Sequence, residues 1–119
     1  VTPLVLELPA LPKAVPEARH AVREHLGIPC PDVQLCVSEL LTNVITHLGE
    51  GTPVTLRLTR TPAGAVRLEV TDPDVHAWLV LRHPSGDDET GRGLLLLDAL
   101  ALRWGVEQAS GGKTIWCEI

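Results

Sequence analysis

Apolar and polar residues change rhythm several times along the chain, and each change marks an element. Residues 4–8, LVLEL, form a short apolar run ended by Pro9 and Pro12, which predicts a strand and then a turn. From Pro16 the stretch PEARHAVREHLG takes up helical spacing, with Ala18, Ala21, Val22 and Leu26 on one side and Gly27 as the stop. Pro29 and Pro31 punctuate, Asp32 is placed to cap a second helix running to Leu48, and Gly49 and Gly51 end it. The period then falls to two. TLRLTR from Thr55 and VRLEVT from Val66 alternate apolar with polar residues, and Thr61-Pro62-Ala63-Gly64 turns between them, as in a hairpin with one covered face.

Residues 73–93 keep no rhythm; Pro84, Ser85, Gly86 and the acidic run Asp87, Asp88, Glu89 predict a mobile loop. Leu94 to Leu102 is apolar nearly all round, which predicts a deeply buried helix. Two last strands, about 104–109 and 113–119, meet at Ser110-Gly111-Gly112. The sum is an α+β protein: a two-layer α/β sandwich of helices on one face of a mostly antiparallel sheet, in a single domain over 1–119.

Composition narrows the function classes. The chain has 119 residues, enough for one core without staples, and its apolar content is aliphatic, with no Phe, Tyr or Met. A net charge of −5 without any Lys or Arg cluster argues against nucleic acid as a partner. Cys30, Cys36 and Cys117 have no zinc-knuckle or redox-pair spacing and read as buried, reduced thiols. With no apolar run of membrane-spanning length and no signal-peptide pattern, the expected location is the cytoplasm.

The second helix carries SELLTNVITH, an aliphatic stretch interrupted by Glu39, Asn43 and His47 at intervals of four. At 100° per residue, Val33, Val37, Leu40, Leu41, Val44 and Leu48 share a core-facing stripe, and Glu39 and Asn43 stack one turn apart beside it. A carboxylate and a carboxamide so placed can share a small ion or order a water. The amide oxygen is a hard ligand suited to Mg²⁺, which binds few protein groups and keeps its waters.

Two further features bear on this line. Gly91-Arg92-Gly93 runs straight into the Leu94 helix, where backbone N–H groups and the helix N-terminus favour an anion. Asp72 ends a strand, where an ionised carboxylate can accept a hydrogen bond from an exocyclic amine. Taken singly, each has a plain alternative: a solvated helix face, a loop hinge and a turn acid. Gly112-Lys113-Thr114 is not a P-loop, because Glu107 stands where the first glycine is required and a strand follows, not a helix. His20, His25, His76 and His83 are scattered and read as surface residues.

The order of these pieces resembles one family along essentially the whole chain: E-x-x-x-N-x-x-x-H on a helix, a strand ending in Asp, a loop, GxG opening a helix, and a closing strand with Thr. It looks like the ATP-binding domain of the GHKL superfamily, the histidine-kinase-like ATPase or Bergerat fold, with a mostly antiparallel mixed sheet. VSELLTNVITH and GRGLLLLDALALRWGV are most similar to stand-alone anti-sigma-factor serine kinases and related regulatory ATP-binding proteins, in an actinobacterial style.

The resemblance implies ATP and Mg²⁺ as cofactors, with Asn43 as the Mg²⁺ ligand. Glu39 would orient or deprotonate the attacking hydroxyl or water, and Asp72 would accept the adenine amino hydrogen. Gly91, Arg92, Gly93 and Leu94 would form the lid hinge and phosphate cradle. Thr114, on the closing strand, would add a direct or water-mediated contact to the adenine, and His47 would line the pocket. Implied partners are ATP or ADP, a sigma factor and an anti-anti-sigma protein of STAS type; exposed strand edges permit a homodimer. The family's Asp-x-Gly is here Asp72-Pro73-Asp74, so a charged side chain stands where a glycine is usual. Beside the kinase reading stand a nucleotide-gated binding module without turnover, the catalytic domain of a two-component sensor kinase, and a degenerate domain that has lost ATP. The sensor-kinase reading requires a phosphoacceptor helical hairpin, for which the single early helix is insufficient.

Overall fold

The computed structural model describes residues 2–74, 96–109 and 111–119. Strand β1, Leu4–Pro9, is followed by helices α1, Ala14–Leu26, and α2, Pro31–Leu48. Then come β2, Pro53–Arg60, and β3, Val66–Asp72. A helical segment over 96–100 precedes β4, Arg103–Ala109, and β5, Gly112–Glu118. The five strands form one sheet in the order β1-β2-β3-β5-β4, and all four pairings are antiparallel. The mixed sheet expected from the resemblance is therefore antiparallel throughout the described strands.

Strand alternation sorts the sheet into a core face and an open face. Leu56 opposes Val70, Leu58 opposes Leu68, and Leu68 in turn opposes Cys117. All of these face inward and are essentially solvent-free, and each such aliphatic side chain contributes roughly 1.5–3 kcal/mol of burial. Val22 and Ala18 of α1 and Val37, Leu40 and Leu41 of α2 complete this core. The helices pack on each other, α1 against β1 and α2 against β3, which gives the two-layer sandwich.

The open face is charged and aromatic. Glu118 accepts hydrogen bonds from Arg67 (2.9 Å) and Arg103 (2.8 Å), and Arg67 also donates to Glu69 (3.1 Å). The Arg103 and Arg67 guanidinium groups hold the Glu118 carboxyl below its usual range. The Arg67 guanidinium lies 4.3 Å from the centre of the Trp116 ring. That ring covers Gly105 on β4, where a Cβ would come within 3.0 Å of it.

Gly27 and Gly49 end the two helices with positive φ, and Gly64 turns the β2–β3 hairpin with φ 91°. The hairpin is closed by the Gly64 N–H donating to the Thr61 carbonyl at 2.9 Å. The three cysteines are free thiols buried in the core. The segment expected as a helix buried on all sides is only partly so in its described residues. Leu97 is solvent-free, while Asp98 and Ala99 are exposed and Leu102 beyond them is 78% exposed. Leu97 joins the core and Leu100 packs against it while Asp98 and Ala99 stay in solvent, so apolar content alone does not bury a helix on every side.

Candidate functional site

α2 carries Pro31 in its first turn, where a missing N–H costs no helical bond, and it ends at Gly49. Asp32 was expected to cap this helix. It lies instead inside the first turn, after an N-cap Cys30 that makes no side-chain cap, and its charge there complements the helix dipole. Val33, Cys36, Val37, Leu40, Leu41 and Val44 are buried against the sheet. Asn43 sits at the margin of that stripe and is only 7% exposed. Glu39, one turn earlier, is half-buried, and His47, one turn later, is exposed.

The Asn43 carboxamide is the chemically informative group. Its Nδ2 is buried and has no hydrogen-bond partner among the described residues. A donor left unmet in this way costs on the order of 1–3 kcal/mol, so the position is expensive for stability alone. Such an amide is suited to a group that the described residues do not supply. Its nitrogen can donate to a phosphate oxygen or, with the amide turned about, its oxygen can face a metal ion or a water.

A second group of buried polar side chains stands at the end of β3, the strand on which α2 packs. Asp72 is 3% exposed. Its Oδ1 accepts the Asp74 N–H at 2.8 Å, closing the Asp-Pro-Asp turn. Its Oδ2 lies 3.5 Å from Lys113 Nζ, which also donates to Asp74 Oδ2 at 3.1 Å. Burial pushes the Asp72 carboxyl above its ordinary value, and the Asp74 N–H and Lys113 draw it partly back. β5 passes very close here, since a Cβ on Gly112 would collide with the Asp72 carbonyl oxygen.

β5 brings Lys113, not Thr114, beside Asp72. The pairing sets Asp72 opposite Lys113 and Thr71 opposite Thr114. Thr114 therefore points to the open face, where its hydroxyl is 2.7 Å from that of Thr71. Lys113 was not singled out from the sequence, although a signal was present. Ile115 and Cys117 set the inward parity of β5, and that parity includes position 113 and excludes position 114.

Gly91, Arg92, Gly93 and Leu94 lie outside the described residues, as do His76, His83 and the loop expected to be mobile. His20 and His25 are exposed. Among the described residues no group of three or more His, Cys, Asp or Glu side chains could cage a metal. An Mg²⁺ ion held mainly by phosphate and water would need few protein oxygens, and the Asn43 amide is a donor of that kind. A cleft of about 580 Å³ opens at the strand ends, lined by residues including Leu8, Pro53, Val54, Thr71 and Asp72, and none of its lining comes from α2. No helix among the described residues is long and apolar enough to cross a membrane.

Comparison with known proteins gives a concordant result. Residues 8–119 match the model of the family described as histidine kinase-like ATPase domain. An uncharacterized protein of Streptomyces coelicolor is 53% identical over 83 residues, which span 69% of this chain and 79% of that protein. Two solved structures share the fold. The RsbU and RsbW domains of a Mycobacterium tuberculosis protein align over 99% of this chain with a TM-score of 0.72 and 20% identity. This chain spans only 32% of that longer one. A chain in the structure of the SiaB–SiaC complex of Pseudomonas aeruginosa aligns over 98% of this chain and 89% of its own length, with a TM-score of 0.74 and 17% identity.

Proposed function

The chain belongs to the histidine kinase-like ATPase domain family, and on that premise we propose that it is an ATP-binding anti-sigma factor with serine-protein kinase activity toward an anti-anti-sigma partner. The observation that carries the nucleotide part is the Asn43 amide, buried at the edge of the core with its Nδ2 unpaired among the described residues. Glu39, half-buried one turn before it, carries the catalytic part.

In this reading Asn43 holds the magnesium–triphosphate edge and Glu39 orients or deprotonates the attacking serine hydroxyl. Asp72 accepts a hydrogen bond from the base, Gly91, Arg92, Gly93 and Leu94 cradle the phosphates, and His47 lines the rim. Thr114 contributes only indirectly from the open face, through its bond to Thr71. Magnesium, when bound with the triphosphate, supplies charge neutralisation, and the chain's own residues supply the alignment on which phosphoryl transfer depends. One of the similar structures is a two-protein complex, which supports a protein as the partner.

Transfer of labelled γ-phosphate to a serine-bearing STAS-type partner tests this reading. Glu39→Ala should lower the rate by about 10²–10⁴-fold while leaving nucleotide binding in place. A second reading, a nucleotide-gated binding module without turnover, is favoured a little by Asp72-Pro73-Asp74, which stands where the family has Asp-x-Gly. Nucleotide-dependent partner binding with no labelled product, in wild type and Glu39→Ala alike, would select it.

A further inference from the structure

Resting on the nucleotide reading, we propose that Lys113 is a specificity-determining residue, pairing with Asp72 as donor and acceptor so that the site takes 6-oxopurine as well as 6-aminopurine nucleotides. The two residues are directly opposed across β3 and β5, so both side chains rise from the core-side face of the sheet. Their side chains are 8% and 1% exposed, and Nζ stands 3.5 Å from Asp72 Oδ2.

A buried carboxylate on its own offers only acceptors. Set against a purine it favours an amino group at position 6 and opposes a keto oxygen there, because two acceptors would face each other. A site built on one such hydrogen bond strongly rejects the analogue that cannot make it. Lys113 changes this balance. Its ammonium has three N–H donors, one of which is given to Asp74 Oδ2 at 3.1 Å. At 3.5 Å, the contact with Asp72 is at the outer limit of hydrogen bonding and acts mainly as an ion pair.

An N–H is thus available beside an acceptor oxygen. A 6-aminopurine gives its amino hydrogen to Asp72 Oδ2 and receives Lys113 at N7, on the other side of that group. A 6-oxopurine, seated one place along the same edge, receives Lys113 at its keto oxygen and gives its N1–H to Asp72. Asp74 belongs to the same device. It stands where the resemblance has a glycine, and its carboxylate anchors the Lys113 ammonium at the base edge. The Oδ1 of Asp72 takes no part, since the Asp74 N–H occupies it.

Calorimetric titration of the full chain with Mg-ATP and, separately, Mg-GTP tests the proposal. GTP should bind within about tenfold of ATP. Lys113→Met should weaken GTP by about 100-fold relative to ATP. Because that variant leaves two buried carboxylates without their cation, the double variant Asp74→Gly/Lys113→Met, which removes one charge of each sign, is titrated beside it. It should show the same loss of GTP. Binding of ATP with GTP more than tenfold weaker in the wild type overturns the role of Lys113 and leaves the nucleotide reading standing. So does an unchanged GTP-to-ATP ratio in the folded double variant. Binding of neither nucleotide by the wild type overturns both.

Discussion

Asn43 is 7% exposed, and its Nδ2 meets no acceptor among the described residues, although it borders a core of leucines and valines. If the amide serves stability, an apolar side chain of similar size should be harmful. If it serves a ligand, removing an unmet polar group should be neutral or stabilising. Asn43→Leu is therefore expected to leave the unfolding midpoint unchanged or raised in thermal denaturation, and a clear drop would mark the amide as structural. Glu39 and Asn43 were legible because four-residue spacing on an aliphatic helix is conspicuous. Lys113 was not, because a lysine one position before a threonine reads as surface until the parity of β5 is counted. Thr114 shows the complementary difficulty: the motif carried it to the base, while alternation along β5 turns it to the open face.

Helices and strands were legible where periodicity and punctuation agreed. The Asp32 cap failed because Pro31 already occupies the first turn and starts the helix one residue sooner. The all-apolar helix misled for another reason: apolar content tells how much could be buried, but only the neighbouring layer decides which side is. Close approach between strands was invisible in the sequence. Gly112 belongs to the β4–β5 turn signal, yet its place is decided by the Asp72 carbonyl oxygen against which a Cβ would collide. Gly112→Ala should therefore destabilise the protein by about 1–3 kcal/mol, as overpacking does, measured by urea unfolding. It should also shift the Asp72 and Lys113 resonances, since β5 can relieve the clash only by moving from the end of β3. A silent substitution would mean that the two strands are held less closely there.

Across the whole molecule, the antiparallel sheet has one face packed by α1 and α2 and one lined by the Arg67, Glu118, Arg103 and Trp116 cluster. Asn43 on α2 and Asp72 on β3 are both buried on the packed side, and burial gives these polar groups their cost and their meaning. An account in which Asn43 and Asp72 form a magnesium–nucleotide site stands or falls on binding. The most direct measurement is a calorimetric titration of wild type and Asn43→Leu with Mg-ATP, repeated with the magnesium chelated. The wild type should bind in the micromolar to millimolar range, with binding weakened by about tenfold or more on chelation and in the variant. No heat of binding at millimolar Mg-ATP, or binding that neither the chelator nor Asn43→Leu alters, would contradict the account.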